Sequence, residues 1–209
     1  MKNTPIAVAL SVLLLATACK KDESSTAPQT YQLVADSSTA RWKGFQRTGY
    51  FNEGSLRVEG KDIRVENGMV TGGTFQMPLS SLVNFNLPLD SLKHLLIHHL
   101  QSPDFFNMAL HPNLTYEIKR TENYSGKDTT AIAGANYTVY GNLTMLGKPL
   151  EVVFPARITL TDKRMQVAAK VVVDRTRWGM NYAADPALPD DKYILPTMQI
   201  ELALQGERK

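Results

Sequence analysis

The chain has 209 residues, enough for one ordinary domain with its own core, and with 43% apolar and 21% charged residues it reads as globular rather than disordered. Its formal net charge is +3, or +2 once Lys2 is lost with a cleaved leader, which is too little to argue for a nucleic-acid partner. The single cysteine, Cys19, excludes an intramolecular disulfide.

The N-terminus opens on Met1-Lys2 and continues into a run of ten residues, Ile6 to Leu15, apolar except for Ser11. That length suits a signal peptide and is too short for a spanning helix. The run ends in Ala16-Thr17-Ala18-Cys19, which resembles the lipobox of bacterial lipoproteins, with Ala16 where leucine is usual. The resemblance implies cleavage after residue 18 and acylation of Cys19, so that several acyl chains hold the protein on a membrane. Lys20, rather than aspartate, follows the cysteine, which favours the outer membrane, either facing the periplasm or exposed at the surface. Residues 19–30 (CKKDESSTAPQT) lack apolar periodicity and read as a flexible tether, leaving 31–209 as one domain.

Within that domain the dominant period is two. Met69, Thr71, Gly73, Phe75 and Met77 alternate with more polar neighbours. The pattern then changes: Leu89, Leu92, Leu95, Leu96 and Leu100 have helical spacing, with Pro88 suited to a first turn. All four histidines lie here or just beyond, at His94, His98, His99 and His111. At about 100° per residue His99 falls within the apolar arc, while His94 and His98 fall on the opposite face. His94 and His98 could chelate one ion, but Asp90 is about 12 Å from His98 along the axis, and His111 would have to fold back. A solvated pair plus one amphipathic histidine is the preferred reading over a metal site. After the helix, Asp104 is read as capping a turn, and Phe105 and Phe106 as a plug of one barrel end or part of a pocket.

Alternation resumes with Leu114, Tyr116 and Ile118, and then with Tyr137, Val139, Gly141, Leu143 and Met145. It continues with Leu150, Val152, Phe154, Ala156, Ile158 and Leu160, where Pro155 suggests an edge-like position or a bulge. Val167, Ala169, Val171 and Val173 follow, and last come Met198, Ile200, Leu202 and Leu204. Turns are expected at Glu66-Asn67-Gly68, Gly147-Lys148-Pro149 and Thr161-Asp162-Lys163. Asp174-Arg175 reads as a structural ion pair, and Trp178 as a residue of the barrel mouth with its N–H bonded. The strings Asn-x-Ser/Thr at Asn113, Asn123, Asn136 and Asn142 read as strand and turn chemistry. About eight strands with short connections predict an antiparallel sheet, and closure into a barrel removes its edges.

Four stretches resemble the YceI-like family. They are "GGTFQMPLSSL" (72–82), "HLQSPDFFNMALHPNLTYEIK" (99–119), "YTVYGNLTMLGKPLEVVFPA" (137–156) and "VVVDRTRWGMNY" (171–182), in the family's order. The second carries His99-Leu100, Ser102, Asp104-Phe105-Phe106, Pro112 and Tyr116. The family often has a histidine after the first long strand; here Gln46-Arg47-Thr48-Gly49 stands there, so no role for that histidine carries over. The resemblance implies an all-β fold, an eight-stranded antiparallel lipocalin-like barrel with a short helical insertion around residues 88–107. It also implies a long amphiphile inside, such as a polyisoprenoid or fatty-acid derivative.

Inward residues are core in a filled barrel and pocket lining in a hollow one. The lining expected for a hollow barrel is Trp42, Phe75, Met77, Leu92, Leu96, Phe105, Phe106 and Tyr116 from the first half. Tyr137, Leu143, Phe154, Ile158, Val171, Val173, Trp178 and Ile200 are expected from the second. No P-loop, nucleophile elbow or paired carboxylates appear, so the expectation is a non-catalytic binding protein without cofactor or resident metal. Its partners would be a hydrophobic or amphiphilic small molecule and a membrane through Cys19, with the oligomeric state open and a dimer among the options. A filled-barrel interaction protein and a histidine-dependent metalloenzyme rank behind it.

Overall fold

In the computed structural model, residues 27–209 are described; the leader, Cys19 and most of the tether lie outside them. The strands are β1 (Gln29–Leu33), β2 (Thr39–Gln46), β3 (Phe51–Arg57), β4 (Glu59–Glu66), β5 (Met69–Pro78), β6 (Val83–Asn84), β7 (Asn113–Asn123), β8 (Tyr137–Met145), β9 (Lys148–Leu160), β10 (Arg164–Asp174) and β11 (Ile194–Arg208). One helix, α1 (Asp90–Gln101), stands between β6 and β7. Gln29 and Thr30, expected in the tether, already pair with β4.

These segments make eight barrel strands. β1 and β2 are one strand broken by a 3₁₀ turn at Ala35–Ser37; β3 and β4 are one strand interrupted at Val58; β5 and β6 are a third with a 3₁₀ turn at Leu79–Ser81. Every neighbour pairs antiparallel, and β11 closes the ring by pairing with β10 on one side and with β1 and β2 on the other. Closure leaves no continuous free edge, the physical reason an antiparallel sheet of this size curls.

Alternation survives wherever the ladder is regular. Along β9, Val152, Phe154, Ala156 and Ile158 are buried, and their odd-numbered neighbours Glu151, Val153, Arg157 and Thr159 are out or half-covered. Pro155 sits where the β9–β10 ladder stops: β10 pairs only with Ala156 to Leu160, so the missing N–H is not needed. On β5 the expected single face is wrong. Two offset bulges between β4 and β5 shift the register around Arg64, with Asp62 at φ 57°. Val70 therefore points inward with Phe75 and Met77, and Met69 is exposed. The turn expected at Gly147-Lys148-Pro149 lies one residue earlier. Leu146 and Gly147 (φ 50° and 71°) form it, and Lys148 and Pro149 already belong to β9.

One half of the barrel is solid. Tyr31 and Ile63 have no exposed surface, and Tyr116 and Phe154 pack ring to ring with centroids 5.4 Å apart. The Tyr116 hydroxyl donates to Val152 O (2.9 Å), and burial pushes its pKa well up, so it stays a donor. Gly141 makes that packing possible, since an added Cβ would strike the Glu117 carbonyl and the Tyr116 ring. Gly141→Ala is therefore expected to lower unfolding free energy by about 1–3 kcal/mol in a urea titration, through overpacking.

Candidate functional site: a half-hollow barrel

The other half encloses a cavity of about 610 Å³. Its walls come from β2 and β3, the end of β5, the starts of β7 and β11, and the end of β8. Alternating strands present Trp42, Leu56, Met77, Leu143, Met198 and Ile200 to it. Phe105 and Phe106, both nearly buried, close it from the segment after α1, and Leu96, His99 and Leu100 of α1 lie above them. Exposed Tyr50, Asp191 and Lys192 border its opening.

The sixteen residues expected to line a pocket divide between the two halves. Trp42, Met77, Leu96, Phe105, Phe106, Leu143 and Ile200 border the cavity. Phe75, Tyr116, Phe154 and Ile158 fill the solid half, and Tyr137 stands at its far rim with its hydroxyl donating to Gly68 O (3.2 Å). Val171, Val173 and Trp178 pack where β9 and β10 part. Trp178 is buried there rather than at the mouth, and its indole N–H donates to Leu143 O (3.1 Å). Leu92 does not border the cavity: it is 40% exposed, and Leu95 is 68% exposed. The helix is turned so that Leu96, Ile97 and Leu100 pack on the core, a rotation from the expected arc that leaves Leu89, Leu92 and Leu95 in solvent.

The histidines do not converge. His99 Nε2 donates to Asp104 Oδ2 (3.1 Å), and its ring packs edge-on against Phe105 and Tyr182. Asp104 thus ties the segment that carries Phe105 and Phe106 to α1 rather than capping a turn. Among the described residues no group of three His, Cys, Asp or Glu is placed to hold a metal.

Arg175 is the largest departure from the expected ion pair. It is 2% exposed, and its guanidinium donates to four backbone carbonyls: Met180, Tyr182 (2.9 Å), Ile194 (3.0 Å) and Leu195 (3.4 Å). Asp174 instead accepts from the backbone N–H (2.9 Å) and hydroxyl (2.6 Å) of Thr176. Burial lowers the Arg175 pKa, with Asp174 and Tyr193 opposing, and a guanidinium remains charged regardless. It also faces Phe105, at 5.7 Å from the ring centroid. Arg175 thereby ties the loop 180–193 to the start of β11. From the other side Arg47, at the β2–β3 tip, holds the same loop through Asp190 (3.0 Å) and Pro186 O (3.1 Å). Loop, tip and helix together frame the opening.

Sequence reasoning missed Gly44 and Asn52. Trp42 pairs with Gly54 and Gly44 with Asn52, so on this face glycine stands opposite a side chain in two successive pairs. Two glycines on neighbouring strands were the available signal, since each leaves space on a sheet face.

The model of the YceI-like domain family matches residues 31–206. No curated protein matches the chain. Among solved structures, BcnA of Burkholderia cenocepacia is similar with a TM-score of 0.63 at 13% identity, over 83% of this chain and 98% of that one. A polyisoprenoid binding domain from Saccharophagus degradans, implicated in plant cell wall breakdown, is similar with a TM-score of 0.61 at 13% identity, over 87% and 99%. At that identity the likeness is one of fold.

Proposed function

The chain belongs to the YceI-like domain family, and on that footing we propose that its barrel binds or carries an amphiphilic lipid, of polyisoprenoid or fatty-acid type, without catalysing its conversion. The observation that carries the reading is the apolar cavity of about 610 Å³, walled by Trp42, Leu56, Met77, Leu143, Met198 and Ile200. Each CH₂ buried there contributes about 0.8 kcal/mol, so a long chain needs few polar contacts to bind. The S. degradans relative is described as polyisoprenoid-binding, which supports the same ligand class here. The lipobox-like Ala16-Thr17-Ala18-Cys19 supports a mature chain acylated at Cys19 and held on the outer membrane.

Native mass spectrometry of protein purified gently from membranes, followed by solvent extraction, tests both parts. The expected result is a polypeptide starting at an acylated Cys19 plus a discrete mass that extracts as a prenyl or acyl compound. A bare polypeptide that takes up nothing from a lipid extract overturns the carrier reading in favour of an interaction protein.

A further inference from the structure

The cavity ends at a defined row of side chains. Leu56 of β3, Met77 of β5 and Leu114 of β7 border it, whereas the next inward residues along those strands, Val58, Phe75 and Tyr116, are buried and do not. On β11, Ile200 borders it and Leu202 packs on the core instead. Phe75 and Tyr116 are directly opposed across the β5–β7 ladder. The Tyr116 ring reaches past Gly141 of β8 to pack on Phe154 of β9. Beyond this row the packing is close. A Cβ added to Gly60 would run into the Phe75 ring, to Gly73 into Ile63, and to Gly141 into the Tyr116 ring, whereas one on Gly44 beside the cavity meets nothing within 4 Å.

A benzene ring is held by an apolar cavity of about 150 Å³, which is about 25 Å³ per carbon. At that density the cavity of about 610 Å³ holds a hydrocarbon part of about 24 carbons. We propose that Phe75 and Tyr116, backed by Phe154, are the floor of the site and set the length of chain that the barrel takes in whole. The apolar end of the ligand rests on this floor, and its polar end stays at the opening beside exposed Tyr50, Asp191 and Lys192. The inference rests on the lipid-binding reading and narrows its ligand class. A polyisoprenoid of more than about five isoprene units leaves its excess outside, in water, where the added carbons contribute nothing to binding. Pushing deeper means displacing the Tyr116 ring, which costs its packing on Phe154 and its hydrogen bond to Val152 O (2.9 Å).

The test uses the full chain, stripped of lipid, on phosphatidylcholine vesicles that contain saturated fatty acids of increasing length. The readout is the mole fraction of each acid in the vesicle that displaces half of a fluorescent fatty probe from the protein. Up to the limit each carbon is buried equally in vesicle and barrel, so this fraction is expected to stay level. Past about 24 carbons each further CH₂ is buried only in the vesicle, and the fraction is expected to rise about three- to fourfold per carbon. Tyr116→Ala, which opens the floor, is expected to move the break to longer acids. Leu143→Trp, which adds bulk on the cavity side of Tyr116, is expected to move it to shorter ones. If Tyr116→Ala does not fold, Leu143→Trp decides alone. A level response through acids of about 30 carbons, or a break that no folded variant moves, overturns the floor and leaves the lipid-binding reading standing. Failure of the probe and of every acid to bind wild type overturns the lipid-binding reading and the floor with it.

Discussion

Arg175→Leu is expected to lower unfolding free energy by about 3–5 kcal/mol, among the largest effects of any single substitution in this chain. Four carbonyls, of Met180, Tyr182, Ile194 and Leu195, lose their donor at once. Leucine fills part of the volume but bonds none of them. Arg175→Lys is expected to recover less than half of the loss. A lysine ammonium is a compact charge with three donors, and it cannot span four acceptors as a planar fork does. Urea titration of both variants measures this. A loss below about 1 kcal/mol for Arg175→Leu would mean that the loop 180–193 holds its place without the guanidinium. Because Tyr182, Leu188, Ile194 and Leu195 border the cavity, a loosened loop should also weaken ligand retention before the fold is lost.

Gly44→Trp is expected to lower affinity for a fluorescent fatty probe by more than about 100-fold while shifting stability by no more than about 1 kcal/mol. The position borders the cavity, and a Cβ there meets no heavy atom within 4 Å, so the indole is directed into ligand space instead of core. Replacing glycine within a strand also removes an entropic weakness of the folded state, which offsets part of any strain. Gly54→Trp, one residue pair along the same ladder, should behave in the opposite way. Its Cβ would run into the Val83 carbonyl and the Trp42 ring, so destabilisation should dominate. If Gly44→Trp binds the probe as wild type does, the ligand does not enter this cavity.

The contrast between Gly44 and Gly54 marks the limit of reading along the chain. Both are glycines on the inward face of adjacent strands, and nothing local distinguishes them. Their difference comes from β6, whose Val83 abuts Gly54, and from the rotamer of Trp42. Leu143 and Phe154 make the same point. Each continues a period-two run, yet one borders open space and the other packs on Tyr116.

Period-two alternation placed the strands from Met69 onward and helical spacing placed the helix before β7, because pleat and helix periods are local properties written every two or every three to four residues, whereas β1 to β4 carried no run that stood out and the family was legible in four ordered motifs. The sequence also singled out Phe105 and Phe106 as closing one end. The tertiary structure alone decided that the barrel is solid in one half and hollow in the other. It decided too that Arg175 serves carbonyls rather than Asp174 and that α1 turns Leu92 to solvent. Each of these depends on which residue arrives from the opposite wall or a distant loop. That is a property of closure, and the alternation of any one strand carries no record of it.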